Sequence, residues 1–416
     1  MSLPEVTEAA GAERRRLFDR DFSLWYAARA VSVFGTAASA VALPLLAYRT
    51  SGSAALTAAV VGLEALPYLL FGLLTGAAAD RLRRRVMMVT ADLCCAAALA
   101  TVPVAAALGV LSVWHVLAVA FAVGCGFCWF DAAAWGSFVA LVGKARLTRA
   151  NSLIWSTEIV VEIVAPAAAG LLATLANPSV VLAADAGTYL VSAALLTVIR
   201  TPLDASERSP RRRLRTEIGE GLRCLWRMPA VRTLTLAGFA FNAAAGGVIG
   251  LLVVHAHTAL GLGTTDGRLG LLYAAGAVGS LAAAAALPWL SRRAGQGAVS
   301  IAGFAVFVAS IVALAGASGF GAALALWALW ATARLAVNAN SVTVRQLLTP
   351  DELQGRVNTT GRMISWGGTP FGALIGGLTA QAYGVRVAYL LLAVPAALAL
   401  GWLLASPVRG LRLPAE

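Results

Sequence analysis

Twelve apolar stretches, each long enough to cross a bilayer, follow one another along this 416-residue chain with short polar breaks between them. They run approximately over 22–48, 54–79, 86–110, 113–142, 150–175 and 179–199, then 230–256, 267–290, 298–317, 320–344, 357–381 and 385–406. A hydrocarbon core of about 30 Å takes about 20 apolar residues per helix. A soluble core does not account for them: only 12% of the residues are charged, against about 25% in an ordinary soluble domain. The stretches are rich in Ala, Leu and Val with no period of two, which argues against an outer-membrane β-barrel. Helices are the remaining way to satisfy the backbone in lipid. The reading is an all-α membrane protein with twelve transmembrane helices, numbered here as segments 1 to 12.

The formal charge is +12, but its distribution speaks for orientation and not for nucleic acid. Arg14, Arg15, Arg16, Arg20, the group Arg81, Arg83, Arg84 and Arg85, then Lys144, Arg146 and Arg149, and the run from Arg208 to Arg215 fall in alternate loops. So do Arg292, Arg293, Arg345, Arg356, Arg409 and Arg412, while the opposite loops carry only Arg49, Arg268 and Arg386. Under the positive-inside rule both termini are cytoplasmic. The first twenty residues are polar and Arg-rich without a signal-peptide pattern, so the first segment is the expected targeting signal. Cys94, Cys95, Cys125 and Cys128 lie inside apolar segments, and neither disulfides nor metal binding is expected of them or of His255 and His257.

One polar stretch is long. It divides the chain into a cytoplasmic N-terminal segment (1–21), a first six-helix bundle (22–199), a cytoplasmic linker (200–229), a second six-helix bundle (230–406) and a cytoplasmic tail (407–416). Within the linker Leu214, Ile218, Leu222, Leu225 and Trp226 form a helical apolar stripe, which predicts an amphipathic helix on the membrane surface. Six plus six is how many secondary transporters are built, with substrate handled near the midplane between halves.

Ionisable groups cost at least about 2.5 kcal/mol each at the centre of a membrane helix, so they are functional candidates by default. Glu64, Asp92, Asp131, Glu158, Glu162 and Asp185 are such acids, all in the first half, and Arg29, Arg334 and Arg362 are the embedded cations. Counting residues places Glu64, Glu162 and Arg334 nearest the midplane. Glu158 and Glu162 are four apart and share a helical face. Two carboxylates held that close in low dielectric resist ionising together, which suits a proton carrier. Glu162, Glu158, Asp131 and Glu64 are therefore the candidate proton-coupling residues, with pairing of Glu158 or Asp131 to Arg29 as the structural alternative. Arg334, Asn242, Asn338, Trp129, Trp330 and Trp366 are candidates for substrate contact, the tryptophans because aromatic faces suit bulky, amphipathic cations. Asp92 and Asp185 read as structural. No G-x-x-x-x-G-K-[ST] loop is present, so direct ATP drive is not expected, and neither an enzyme site nor a cofactor is indicated.

Gly76-x-x-x-Asp80-Arg81-x-x-Arg84-Arg85, between segments 2 and 3, resembles the signature loop of the major facilitator superfamily. Residues 338–362, reading NANSVTVRQLLTPDELQGRVNTTGR, followed by Trp366, Pro370, Gly372, Gly376 and Gly377, resemble the drug:proton antiporter branch that contains the macrolide and enterobactin exporters. Ala165-Pro166 with Gly170 resembles that branch's antiporter motif with its first glycine replaced by alanine, and Thr36 stands where the relatives often carry an acid. The resemblance implies the major facilitator fold, a conformational gate at Gly76, Asp80, Arg81, Arg84, Arg85, Pro166 and Gly170, and a multi-pass monomer in the bacterial inner membrane. It implies proton-driven export of a small amphipathic molecule such as a drug, secondary metabolite or siderophore by alternating access, the proton gradient being the energy source. The alternatives are a facilitator or importer of a nutrient, and a membrane sensor or scaffold that does not transport.

Overall fold

The computed structural model describes residues 18–143, 146–175, 177–204, 214–349 and 354–412. Every regular element among them is helical. The first half consists of α1 (Arg20–Ser51), α2 (Ala54–Arg81), α3 (Arg84–Ala107), α4 (Val113–Val142), α5 (Leu147–Leu175) and α6 (Pro178–Val198). After α7 (Leu214–Arg227) come α8 (Pro229–Gly250), α9 (Leu252–Thr258), α10 (Arg268–Ala294), α11 (Gln296–Gly316) and α12 (Phe320–Leu348). The chain ends with α13 (Gln354–Trp366), α14 (Gly368–Tyr383), α15 (Val385–Ala405) and a 3-10 turn over Pro407–Gly410.

Local signals set the boundaries. Asp19 caps α1 by accepting from the Phe22 amide at 2.8 Å, and Asn177 caps α6 with Pro178 in the first turn, where its missing N–H costs nothing. Gly52 ends α1 with φ of 63°, a left-handed conformation that lets its amide reach the Tyr48 carbonyl.

Among the described residues, ten helices are long and apolar enough to cross a membrane. Segments 5 and 11 of the sequence reading are the two outside that number. Segment 5 falls on α5, a helix of 29 residues in which several side chains, that of Glu162 among them, lie outside the described residues. Segment 11 is divided at Gly367 into α13 and α14, of 13 and 16 residues, each shorter than the roughly 20 residues a span takes.

The packing is pairwise within each half: α1 on α5 and α6, α3 on α4 and α6, α2 on α4, then α8 on α14 and α15, α10 on α12, and α11 on α12 and α15. Between halves, α2 lies along α14 and α5 along α10. Advancing each element by one half turns the first contact into the second, so the two seams have the relation expected of a duplicated unit. Helix α7 sits where the linker was expected to be amphipathic. Leu225 is buried against Val231 and Val357, while Leu222 and Trp226 are exposed. The side chains of Leu214 and Ile218 lie outside the described residues.

For orientation, the terminal face is the one where α1 begins and α15 ends, and the far face is its opposite.

Candidate functional site

The embedded charges gather where α1, α4 and α5 meet α13 of the opposite half. Arg29 lies one-third of the way along α1 and is buried. Its Nε and Nη2 donate to Glu158 Oε1 at 2.9 and 2.6 Å, and Nη2 also reaches Asp131 Oδ1 at 3.3 Å. One guanidinium thus serves two carboxylates, as its planar fork of donors allows. Asp131 is 4% exposed. It accepts a further bond from Trp135 Nε1, one turn along α4, at 3.1 Å, and its second oxygen stands 3.5 Å from Arg362 Nη2. Arg362 belongs to the other half. The carboxylate of Asp131 is therefore shared between a cation of its own bundle and a cation of the opposite one.

Arg362 is itself enclosed by aromatic faces. Its Cζ lies 4.6 Å from the Trp366 ring centroid and 5.4 Å from that of Tyr68, and the two rings are 5.4 Å apart. Tyr68 comes from α2 and Trp366 from α13, so the cage is built by both halves. Beside it a narrow cleft of about 10 Å³ between α1 and α5 is lined by Tyr26, Arg29, Val33, Thr157, Glu158 and Val161. The Tyr26 and Thr157 hydroxyls are hydrogen-bonded across it.

The other residues picked out by the sequence are dispersed. The side chain of Glu162 lies outside the described residues, as does that of Asp80. Glu64, half-buried on α2, has no ion pair among the described residues. Arg334 stands 5.9 Å from the Trp330 ring and likewise has no ion pair among them. Asn242 donates to the Gly238 carbonyl of its own helix at 2.8 Å. Asn338 makes no hydrogen bond among the described residues, whereas Asn340 donates to Gln296 O and Ser300 Oγ, both at 2.8 Å. Trp129 is 37% exposed. Trp330 is 1% exposed and stacked on Trp327 at 4.6 Å, so it fills the second bundle's core and lines no cavity between the halves. Of the three tryptophans named, Trp366 is the one at the charged cluster. Tyr68 went unnamed as a site residue, and only its proximity in sequence to Glu64 could have suggested it.

In the signature loop, Arg84 donates to the carbonyls of Ala79, Gly136 and Leu203 at 3.2, 2.9 and 3.4 Å. Its amide meets Asp204 at 2.9 Å, and Arg85 reaches Thr201 O at 3.0 Å. These bonds tie the α2–α3 turn to α4 and to the chain leaving α6, all within the first half. Arg81 is exposed. At Gly76 an added Cβ would meet open space, so that glycine makes no close helix contact in this conformation. Helix α5 continues through Pro166. At Gly170 it crosses α10, and a Cβ there would stand 3.0 Å from the Gly270 Cα, a separation that only glycine accommodates without displacement.

Among the described residues the halves also meet at the far face. Arg49 donates to Thr264 O, the Tyr48 and His257 rings meet at 5.3 Å, and Gln381 accepts from Ser53 Oγ and the Ala54 amide at 3.0 and 2.9 Å. Ala55 and Ala58 pack on Gly377 at the same level.

Comparison with known proteins follows the same lines. Residues 16–414 match the family model described as transmembrane secretion effector. The multidrug efflux pump Tap of Mycolicibacterium fortuitum is 28% identical over 382 residues, covering 87% of this chain and 89% of Tap. Macrolide efflux protein A of Streptococcus pyogenes is 29% identical over 181 residues, 44% of each chain. In fold, a bacterial homolog of the human lysosomal transporter Spinster, solved inward-facing and unoccupied, superposes with a TM-score of 0.74 at 16% identity over 95% of this chain and 99% of that one. The nucleoside transporter NupG gives 0.72 at 13% identity over 92% and 98%.

Proposed function

The chain belongs to the transmembrane secretion effector family of the major facilitator superfamily, and from that premise we propose that it is a proton-coupled exporter of small amphipathic organic cations. Twelve membrane crossings in two halves, with both termini in the cytoplasm, give the arrangement its direction: the arginine-rich terminal face is cytoplasmic, and the far face, where the halves are in contact, is external.

The observation that carries this reading is the sharing of Asp131 between Arg29 and Arg362. While the carboxylate is charged, Arg362 is held against the first half. A proton arriving at Asp131 removes one charge from a cluster that contains two acids and two arginines, and the attraction across the seam weakens. Glu158, tied to Arg29, keeps that arginine in place while Asp131 changes state. Glu162, one turn further along α5, is assigned as the relay to the outside, and Glu64 as a reserve acid on α2.

Substrate enters the same arrangement as a competitor. Arg362 occupies a cage of two aromatic faces and a carboxylate, which is the recognition chemistry of an organic cation. A bulky cation that displaces it would gain the Tyr68 and Trp366 faces and the Asp131 charge, while Trp129, Arg334 and Asn338 are assigned to the walls. Protons and substrate would then exclude one another at Asp131, which is what exchange requires. The relatives named as multidrug and macrolide efflux proteins support an amphipathic cargo.

The test uses everted membrane vesicles and a fluorescent organic cation such as ethidium. Acidifying the lumen should drive uptake by the wild-type protein, and D131N should abolish the response to the gradient and weaken exchange with preloaded ethidium, since it removes the charge that both bind. Wild-type uptake that ignores the gradient would exclude antiport and favour a facilitator.

A further inference from the structure

Inside the first bundle, away from both seams, α3 and α6 enclose a second pair of carboxylates. Asp92 is 0% exposed and Asp185 is 2% exposed. Asp185 is well supplied with donors. Ser39 Oγ donates to Oδ2, and Thr188 Oγ1 donates to Oδ1 at 2.8 Å. Helix α1 approaches closely at Gly35, where a Cβ would fall 1.9 Å from Asp185 Oδ1. Nearby, the Tyr189 hydroxyl is joined to Thr36 Oγ1 at 2.8 Å.

Asp92 has far less support. Neither of its carboxylate oxygens is engaged in a hydrogen bond of good geometry, and the Ser192 hydroxyl is the one donor within its reach. The titratable groups within electrostatic reach of the pair are Cys95 on α3, Tyr189 on α6 and Glu64 on α2. None is a cation, and among the described residues no arginine or lysine forms an ion pair with either aspartate.

An ionised carboxylate taken out of water with one poorly placed hydroxyl donor and no counter-charge carries a solvation penalty that packing does not repay, and such a group neutralises instead. The presence of a second acid in the same dry space adds repulsion in the same direction. A desolvated metal ion would neutralise Asp92 equally well, but it needs about six oxygen ligands, and both oxygens of Asp185 are already engaged by hydroxyl donors. A proton needs only one oxygen.

We propose that Asp92 and Asp185 form a proton-binding pair, with the proton on Asp92, separate from the cluster of Arg29, Asp131 and Glu158. The pair is enclosed by helices of one bundle, so its occupancy follows the packing of α3 on α6 and not the rocking of the two halves. Any movement that admits water or a donor to Asp92 releases the proton. This site stands on burial and bonding alone and does not depend on what the chain transports.

Infrared spectroscopy of the protein reconstituted in lipid at neutral pH tests the assignment directly. The carbonyl stretch of a protonated carboxylic acid should be present, should shift down when the protein is made with aspartate labelled with carbon-13 at the side-chain carboxyl, and should persist in D131N. D92N should remove it. A band that ignores the aspartate label, or that is undiminished in folded D92N, overturns the proposal. So does a band that disappears when choline chloride is replaced by sodium chloride, which would make this a cation site. Should D92N fail to fold, labelled D131N decides alone: a shifted acid band supports the pair, and its absence overturns it.

Discussion

Arg29 is the counter-charge on which two buried carboxylates depend, and the size of that dependence can be predicted. Removing one partner of a buried ion pair costs about 3–5 kcal/mol, because the other charge is left unsatisfied. Arg29→Gln removes the one hydrogen-bonded cation of Glu158 among the described residues and leaves Asp131 with Arg362 alone, so it should destabilise the protein by an amount toward the lower end of that range. Arg29→Gln combined with Glu158→Gln should recover most of the loss, since the stranded charge is gone. Thermal unfolding of the two variants in detergent measures the difference, and equal melting temperatures would show that the pair is energetically idle. The charges in this cluster were legible in the sequence as embedded acids and an embedded arginine, and pairing of Arg29 was one of the readings. The reach of Arg362 to Asp131 was not, because the two are 231 residues apart and meet only when the halves assemble. Trp330 shows the complementary limit. In a membrane helix core, lipid and cavity faces are all apolar, so composition alone cannot tell a stacked core tryptophan from a binding one.

At the scale of single helices the same blindness explains Asn338 and Asn340. Two residues apart on an α-helix is about 200° of rotation, so only one of them can face α11. It is Asn340, whose amide group donates to Gln296 O and Ser300 Oγ. Hydrogen bonds between membrane helices average about 0.6 kcal/mol and reach about 1.7. Asn340→Ala should therefore lower stability by about 1 kcal/mol, within that range, and Asn338→Ala should leave it unchanged, as chemical unfolding in mixed micelles would record. The crossing of α5 and α10 is governed by size instead. With the Gly270 Cα 3.0 Å from an added Cβ at Gly170, Gly170→Ala asks for a shift of a few tenths of an ångström, and Gly170→Val forces the helices apart. Valine should weaken transport far more than alanine. Equal activity of the two would mean that this crossing is not tight in the working protein.

For the whole molecule, the all-helical architecture and the succession of apolar helices were legible, because bilayer thickness acts on local sequence. Which face is closed was not, since that depends on packing between halves with similar patterns. The structure is sealed at the far face through Arg49 and Thr264, Tyr48 and His257, and Ser53, Ala54 and Gln381. If the molecule works by alternating access, this seal must open once per cycle, and a covalent bond across it must stop the cycle. Ser53 Oγ and Gln381 Oε1 are 3.0 Å apart, so cysteines at these two positions are within reach of a short bifunctional thiol reagent. In the protein carrying S53C and Q381C, cross-linking should abolish ethidium movement in vesicles, and a cleavable linker should restore it on reduction. The single-cysteine variants treated in the same way should keep their activity. Transport that continues through an intact cross-link would show that the far-face contacts are a fixed hinge, and that the halves part on the terminal side alone.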